Sequence, residues 1–215
     1  MRRFSILAVA AAVALLSTAA MAQAVQYEID PVHSSAQFSV RHMMVSNVRG
    51  EFAKLSGTVV YDPKNPQASS VEATIDATSI NTHEPQRDEH LKSPDFFDVA
   101  KYPTLTFKSS KVEKAGEGKL RVTGDLTIHG VTKQVVLEVE GPSPEVKMGG
   151  SIRSGASATT TINRKDFGLM WNRALESGGV LVGDEVKITL EIEMGRKAAA
   201  PAQQSEKAGA SKSAK

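Results

Sequence analysis

Cysteine is absent from all 215 residues, and the absence removes several readings at once. The chain has no disulfides to stabilise it, no thiol nucleophile, and no acceptor for a lipid anchor at an export junction. Long apolar runs are also missing beyond the first two dozen residues, so no later segment suits a bilayer-spanning helix. The opening stretch, MRRFSILAVAAAVALLSTAAMAQA, has Arg2 and Arg3 ahead of an apolar run, then small residues spaced for cleavage after Ala22 or Ala24. No stop-transfer charges follow it. Residues 1–24 therefore read as a cleaved leader for general secretion.

A basic face is lacking as well. Arg2 and Arg3 lie in the leader, and Arg196, Lys197, Lys207, Lys212 and Lys215 lie beyond Gly195 with Glu206. Without these the chain keeps 19 of its 26 basic residues and 23 of its 24 acidic ones. A folded part with a charge near −4 does not suit nucleic-acid binding. The stretch from Gly195, GRKAAAPAQQSEKAGASKSAK, is Ala, Lys, Ser and Gln without apolar periodicity. Residues 195–215 are expected to be disordered, because they bury too little to offset ordering entropy. Residues 25–194 then form one domain of ordinary size.

Catalytic patterns are missing too. There is no G-x-S-x-G elbow and no glycine-rich phosphate loop. None of His33, His42, His83, His90 and His129 pairs at the H-x-x-x-H spacing. His83 and His90, seven apart and able to share a face of a short helix, read as structural or surface residues because the sequence points to no further ligands. Asp95 and Asp98 read as turn formers after Pro94. The sequence points to no metal, no cofactor and no enzyme.

What is present is alternation. In VKITLEIEM, Val186, Ile188, Leu190, Ile192 and Met194 alternate with Lys187, Thr189, Glu191 and Glu193. VEATIDA and LRVTGDLTI repeat the pattern, and further strands are expected near 34–44, 52–61, 104–112, 133–140 and 150–162. Strict period two marks antiparallel strands with one dry and one wet face. His129-Gly130 reads as a hairpin turn. One short helix is expected in THEPQRDEHLKSPDFF, with Thr82 as N-cap and Pro94 at its end. About eight such strands make a sandwich or a closed barrel. An eight-stranded barrel is either filled by its own side chains or holds one small ligand.

The segment FSVRHMMVSNVRGEF bears on that choice. Phe38, Val40, His42 and Met44 share one face, so an imidazole falls among apolar residues. It is either a hydrogen-bonded core histidine or a polar point on the wall of an apolar pocket. Phe38, Phe52, Phe107, Phe167 and Trp171 admit the same pair of readings, core or ligand wall.

Four stretches taken together, YEIDPVHSSAQFSVRHMMVSNVRGEF, HLKSPDFFDVAKYPTLTFKSS, GDLTIHGVTKQVVLEV and INRKDFGLMWNRALESGGVLVGDEVKITLEIE, closely resemble the YceI-like family of bacterial periplasmic proteins. The resemblance spans Tyr27 to Met194. It implies an all-β, eight-stranded antiparallel lipocalin-like barrel with a short helical insertion. It also implies a periplasmic protein that holds a long-chain isoprenoid lipid, of polyprenyl phosphate or quinone type, for transport, storage or scavenging. The ligand-binding positions it implies are Phe38, Val40, His42, Met44, Phe52, Leu105, Phe107, Leu126, Ile128, Phe167 and Trp171. Arg49, Arg87, Lys92 and Arg164 are cations that either meet a head group or are solvated surface. A transient membrane contact and a homodimer are both compatible with the family. Two alternatives stand beside this reading: an enzyme acting on a bound isoprenoid with His42 as acid or base, and an interaction protein with a filled barrel.

Overall fold

In the computed structural model, which describes residues 24–176 and 178–197, the alternating segments become twelve strands of one antiparallel sheet. Three staves are broken in the middle: Val25–Ile29 (β1) with Ser35–His42 (β2), Ser46–Phe52 (β3) with Leu55–Tyr61 (β4), and Ser70–Asp76 (β5) with Ile80–Asn81 (β6). Thr104–Gly116 (β7), Lys119–Ile128 (β8) and Val131–Glu140 (β9) follow. Val146–Met148 (β10) pairs with the start of Ser151–Asn163 (β11), and Val182–Lys197 (β12) comes last. Each stave bonds to the next in chain order. β12 then pairs with β11 on one side and with both β2 and β1 on the other, closing an eight-stave barrel.

The break in the first stave is built chemically. Asp30 Oδ1 accepts from the backbone N–H groups of Val32 (2.9 Å) and His33 (3.3 Å), turning the chain. The Ser34 hydroxyl donates to the Glu193 carbonyl (3.1 Å) and accepts from the Glu193 N–H (3.0 Å), so a side chain mends the ladder where the backbone leaves it. Outside this seam Arg153 reaches over Gly195, where any Cβ would stand 3.0 Å from the guanidinium, to donate to Asp30 Oδ2 at 2.7 Å.

The Val32 N–H, then His33, then Arg153 hold the Asp30 carboxyl at about 2, against 3.8 for an ordinary aspartate. A depressed carboxyl contributes stability that is fully present above pH 3.8 and is lost as pH falls through about 2. Asp30→Asn is therefore expected to flatten the pH dependence of the urea midpoint in that window. An unchanged acid limb in the variant would contradict the assignment.

At one end of the barrel lie the β2–β3 turn, the segment 82–103, the His129-Gly130 turn and the segment 164–181. At the other lie both ends of the described chain and the connections 62–69, 117–118 and 141–150. The helix, Pro85–Lys92 (α1), closes the first end. Its N-cap is Glu84, which accepts from Gln86 N–H, and not Thr82 as expected. Thr82 is buried instead, giving its N–H and hydroxyl to Asp88 and accepting from Arg87 (2.8 Å).

The last strand outruns residue 194 and enters the segment expected to be disordered. β12 continues past Met194 through Gly195 and Arg196 to Lys197, paired with β11. The expected cleaved leader, as far as residue 23, and the expected disordered tail, from residue 198, lie outside the described residues.

Candidate functional site

Inward side chains do not fill this barrel. Two separate apolar clusters form, one toward the helical end around Phe52, Leu105, Ile128 and Phe167, the other of Val112, Leu120 and Val122. Between and along the clusters runs a cavity of ≈ 260 Å³. Its bounding surface presents apolar atoms only. The void explains an otherwise odd burial pattern: Val135, Leu137, Val139, Ile188 and Leu190 point inward, yet are only half-buried, because they border empty space.

Two glycines keep the lumen open. A Cβ at Gly50 would stand 2.5 Å from Phe38 Cζ, and one at Gly124 would stand 2.5 Å from Phe107 Cζ. Each ring lies against the strand wall over its glycine instead of crossing the space.

The helical end is closed by Leu91, Phe96, Phe97 and Leu169, all bordering the cavity. Outside them His90 packs edge-on against Phe96 and Trp171, with ring centroids 5.1 and 4.9 Å away. His90 Nε2 is 2.9 Å from Asp95. Arg164 holds this lid down. It is 3 % exposed, buried enough to push its guanidinium pKa down while Asp184 opposes the shift. Its guanidinium donates to the carbonyls of Gly183 (2.9 Å), Trp171 (3.0 Å) and Leu169, with Asp184 at 3.6 Å. Its stem, not its charge, borders the lumen.

At the opposite end Arg196 donates twice to Glu145 (3.0 Å each), and the Tyr27 hydroxyl donates to the same carboxylate. Arg196 first and Tyr27 second hold the Glu145 carboxyl below its usual range, while burial raises the Tyr27 phenol. This rim includes Arg196, expected in a disordered tail. The sequence hides it because Gly195-Arg196-Lys197 breaks the apolar alternation, although backbone pairing continues.

The structure brings Phe38, Val40, Phe52, Leu105, Phe107, Leu126 and Ile128 together around the cavity. It does not bring His42, Met44, Phe167 or Trp171 there. His42 is the last residue of β2, at the rim, paired with Ser46 and with Val182, whose side chain borders the cavity while that of His42 does not. Met44 sits on the turn beyond, 57 % exposed, Phe167 is solid core, and Trp171 packs on the outer face of the lid. The β9 and β12 wall, Val135 to Val139 and Val186 to Met194, was missing from the expected site although its alternation is the cleanest in the chain.

The four candidate cations also separate. Arg87 and Arg164 are tied to backbone, and Lys92 pairs with Glu89 at 2.9 Å. Arg49 alone stays on the outer wall without a carboxylate partner among the described residues. Asp30, His33 and Glu193 bring three potential metal-ligating atoms within 4.8 Å of one another. Arg153 already supplies the positive charge there, 2.7 Å from Asp30 and 3.6 Å from Glu193.

The YceI-like domain model matches residues 27–194. A UPF0312 protein of Vibrio cholerae is 42 % identical over 158 residues, covering 73 % of this chain and 84 % of that protein. Among solved structures, BcnA of Burkholderia cenocepacia superposes with a TM-score of 0.65 at 27 % identity, covering 77 % of this chain and 98 % of BcnA. A polyisoprenoid binding domain from Saccharophagus degradans, implicated in plant cell wall breakdown, superposes at 0.56 with 20 % identity, covering 78 % of this chain and 97 % of that one. The last likeness is one of fold.

Proposed function

This chain belongs to the YceI-like family, and on that premise we propose that it is an exported binding protein that holds the hydrocarbon chain of an isoprenoid lipid in its barrel. The observation that carries this reading is the unfilled apolar lumen. At about 24 cal/mol per Å³, an empty cavity of ≈ 260 Å³ costs roughly 6 kcal/mol. That is comparable to the whole stability of an ordinary domain, about 5–15 kcal/mol. Apolar cavities of smaller size stay dry and accept hydrocarbon guests. Each buried CH₂ returns about 0.8 kcal/mol, so the five carbons of one isoprene unit give roughly 4 kcal/mol before the costs of binding.

The wall also limits what enters. With no polar atom facing the lumen, a buried phosphate or quinone oxygen would lose hydration without gaining a partner, costing about 2–7 kcal/mol for a neutral group and more for an ion. The tail is bound inside and the head stays at a rim. Head-group identity is therefore read weakly, which suits storage or carriage of prenyl lipids as a class. The leader-like opening residues support a periplasmic location, and the polyisoprenoid ligand named for the Saccharophagus domain of the same fold supports the ligand class.

Delipidated protein titrated with a prenyl alcohol or a prenylquinone is expected to melt about 5–10 °C higher at a hundredfold excess over Kd, the shift set by about 2.7 kcal/mol of linkage. A short-chain, tail-free quinone should give none. Equal melting with and without every prenyl probe would refute the proposal.

A further inference from the structure

The turn between β2 and β3 has residues that do not suit its shape. Val45 N–H donates to the His42 carbonyl at 3.0 Å, and the two central residues, Met43 and Met44, have φ of 51° and 62°. That geometry belongs to Asn-Gly, because left-handed backbone disfavours bulky side chains. Met43, Met44 and Val45 are nevertheless 43, 57 and 74 % exposed. Met170, 61 % exposed, lies on the segment after β11 at the same end, and that segment holds the turn through the Leu181 carbonyl, which accepts from Met43 N–H at 2.7 Å. Strain that serves no packing is a sign of function, and exposed methionine suits a yielding apolar partner.

Charge indicates which partner. Lys187, Ser39 and Arg49 stand in register across three neighbouring strands on the outer wall behind the turn, with Arg41 one row nearer the tip. Arg41, Arg49, Arg173 and Lys187 pair with no carboxylate among the described residues, whereas Lys108, Lys119 and Arg121 elsewhere on the wall do. The acidic groups on the adjoining segments are Glu176, Asp184 and Glu185, of which Asp184 is held by Lys165 at 2.9 Å, with Glu51 a row further from the tip.

We infer that the Met43-Met44-Val45 turn is a membrane-docking finger. It inserts its side chains into the interface of an anionic bilayer, while Arg41, Arg49, Arg173 and Lys187 face lipid phosphates. The inference rests on the carrier reading. Val40 and Val182 border the lumen directly behind the turn, so docking sets that end of the barrel against lipid.

Flotation of the mature chain with phosphatidylcholine vesicles, with and without phosphatidylglycerol, tests this. Emission of Trp171, the only tryptophan, reports on the lid beside the finger. Wild type should float with the anionic vesicles. Met43→Asn/Met44→Gly supplies the residues the turn prefers and removes the apolar tip. The double variant should melt no lower than wild type and take up prenyl alcohol equally, yet bind vesicles at least about tenfold more weakly, as two methionine side chains no longer bury. Wild type that ignores anionic vesicles, or a variant that floats equally, overturns the finger. Concentration-dependent dimers lost in the variant would make the turn a self-association surface and also overturn it. Protein that floats but takes up no prenyl lipid would refute the carrier reading and leave the docking result standing.

Discussion

Replacing Arg164 by methionine is expected to lower the unfolding free energy by about 3–5 kcal/mol and the melting temperature by about 10 °C. Methionine roughly keeps the stem and its contacts, so the loss is the guanidinium's alone. Three carbonyls, of Leu169, Trp171 and Gly183, would be left without their donor in a site only 3 % exposed. Asp184, whose Oδ1 is buried without a hydrogen-bond partner, would keep only Lys165 at 2.9 Å. Arg164→Lys should be nearly as damaging, because one ammonium cannot reach three diverging carbonyls as a planar fork does. Since Leu169 borders the lumen and Trp171 packs over the lid, lipid should also leave the variant faster. Urea unfolding decides the case. A change below about 1 kcal/mol would mean the carbonyls find water and the lid is not held by this residue.

Val135→Trp has the opposite profile. Val135 faces the lumen opposite Gly124, beside the Phe107 ring, and is only half-buried. In a packed core such an enlargement costs about 1–3 kcal/mol of strain. In a hollow one the indole fills existing space, and the melting temperature should stay within a few degrees or rise, since the cavity penalty shrinks. Binding of a prenyl alcohol should nevertheless fall by at least about tenfold, because the added ring lies where several methylenes would. Stability kept and binding lost is a combination the filled-barrel alternative does not give. Destabilisation by several kcal/mol with binding intact would favour that alternative.

Much of the barrel was legible because alternation is a direct imprint of a one-sided sheet. VKITLEIEM and LRVTGDLTI lie within β12 and β8. β3, SNVRGEF, was missed apart from Phe52, since its polar residues interrupt the period and Gly50 stands where an inward side chain belongs. The break in the first stave was invisible because the hydroxyl of Ser34 replaces a backbone pairing, which no periodicity reports. The site positions came from the family resemblance, taken where side chains should face inward, and that inward parity held only within strands. Phe38, Val40, Leu126 and Ile128 reached the lumen. His42 did not, because the barrel wall ends at that residue and the chain turns back through left-handed backbone. Phe167 and Trp171 lie in non-strand segments, where sequence spacing says nothing about direction. Arg164 looked like a surface cation because the three carbonyls that bury it come from residues up to nineteen positions away.

Native mass spectrometry of the wild-type protein and Val135→Trp, purified side by side from the producing cells without detergent, tests the hollow, lipid-filled barrel most directly. Wild type should carry an apolar adduct that organic extraction removes and a prenyl lipid replaces, and the tryptophan variant should fly bare. Wild type at its bare polypeptide mass, refusing every added prenyl lipid, would contradict the account.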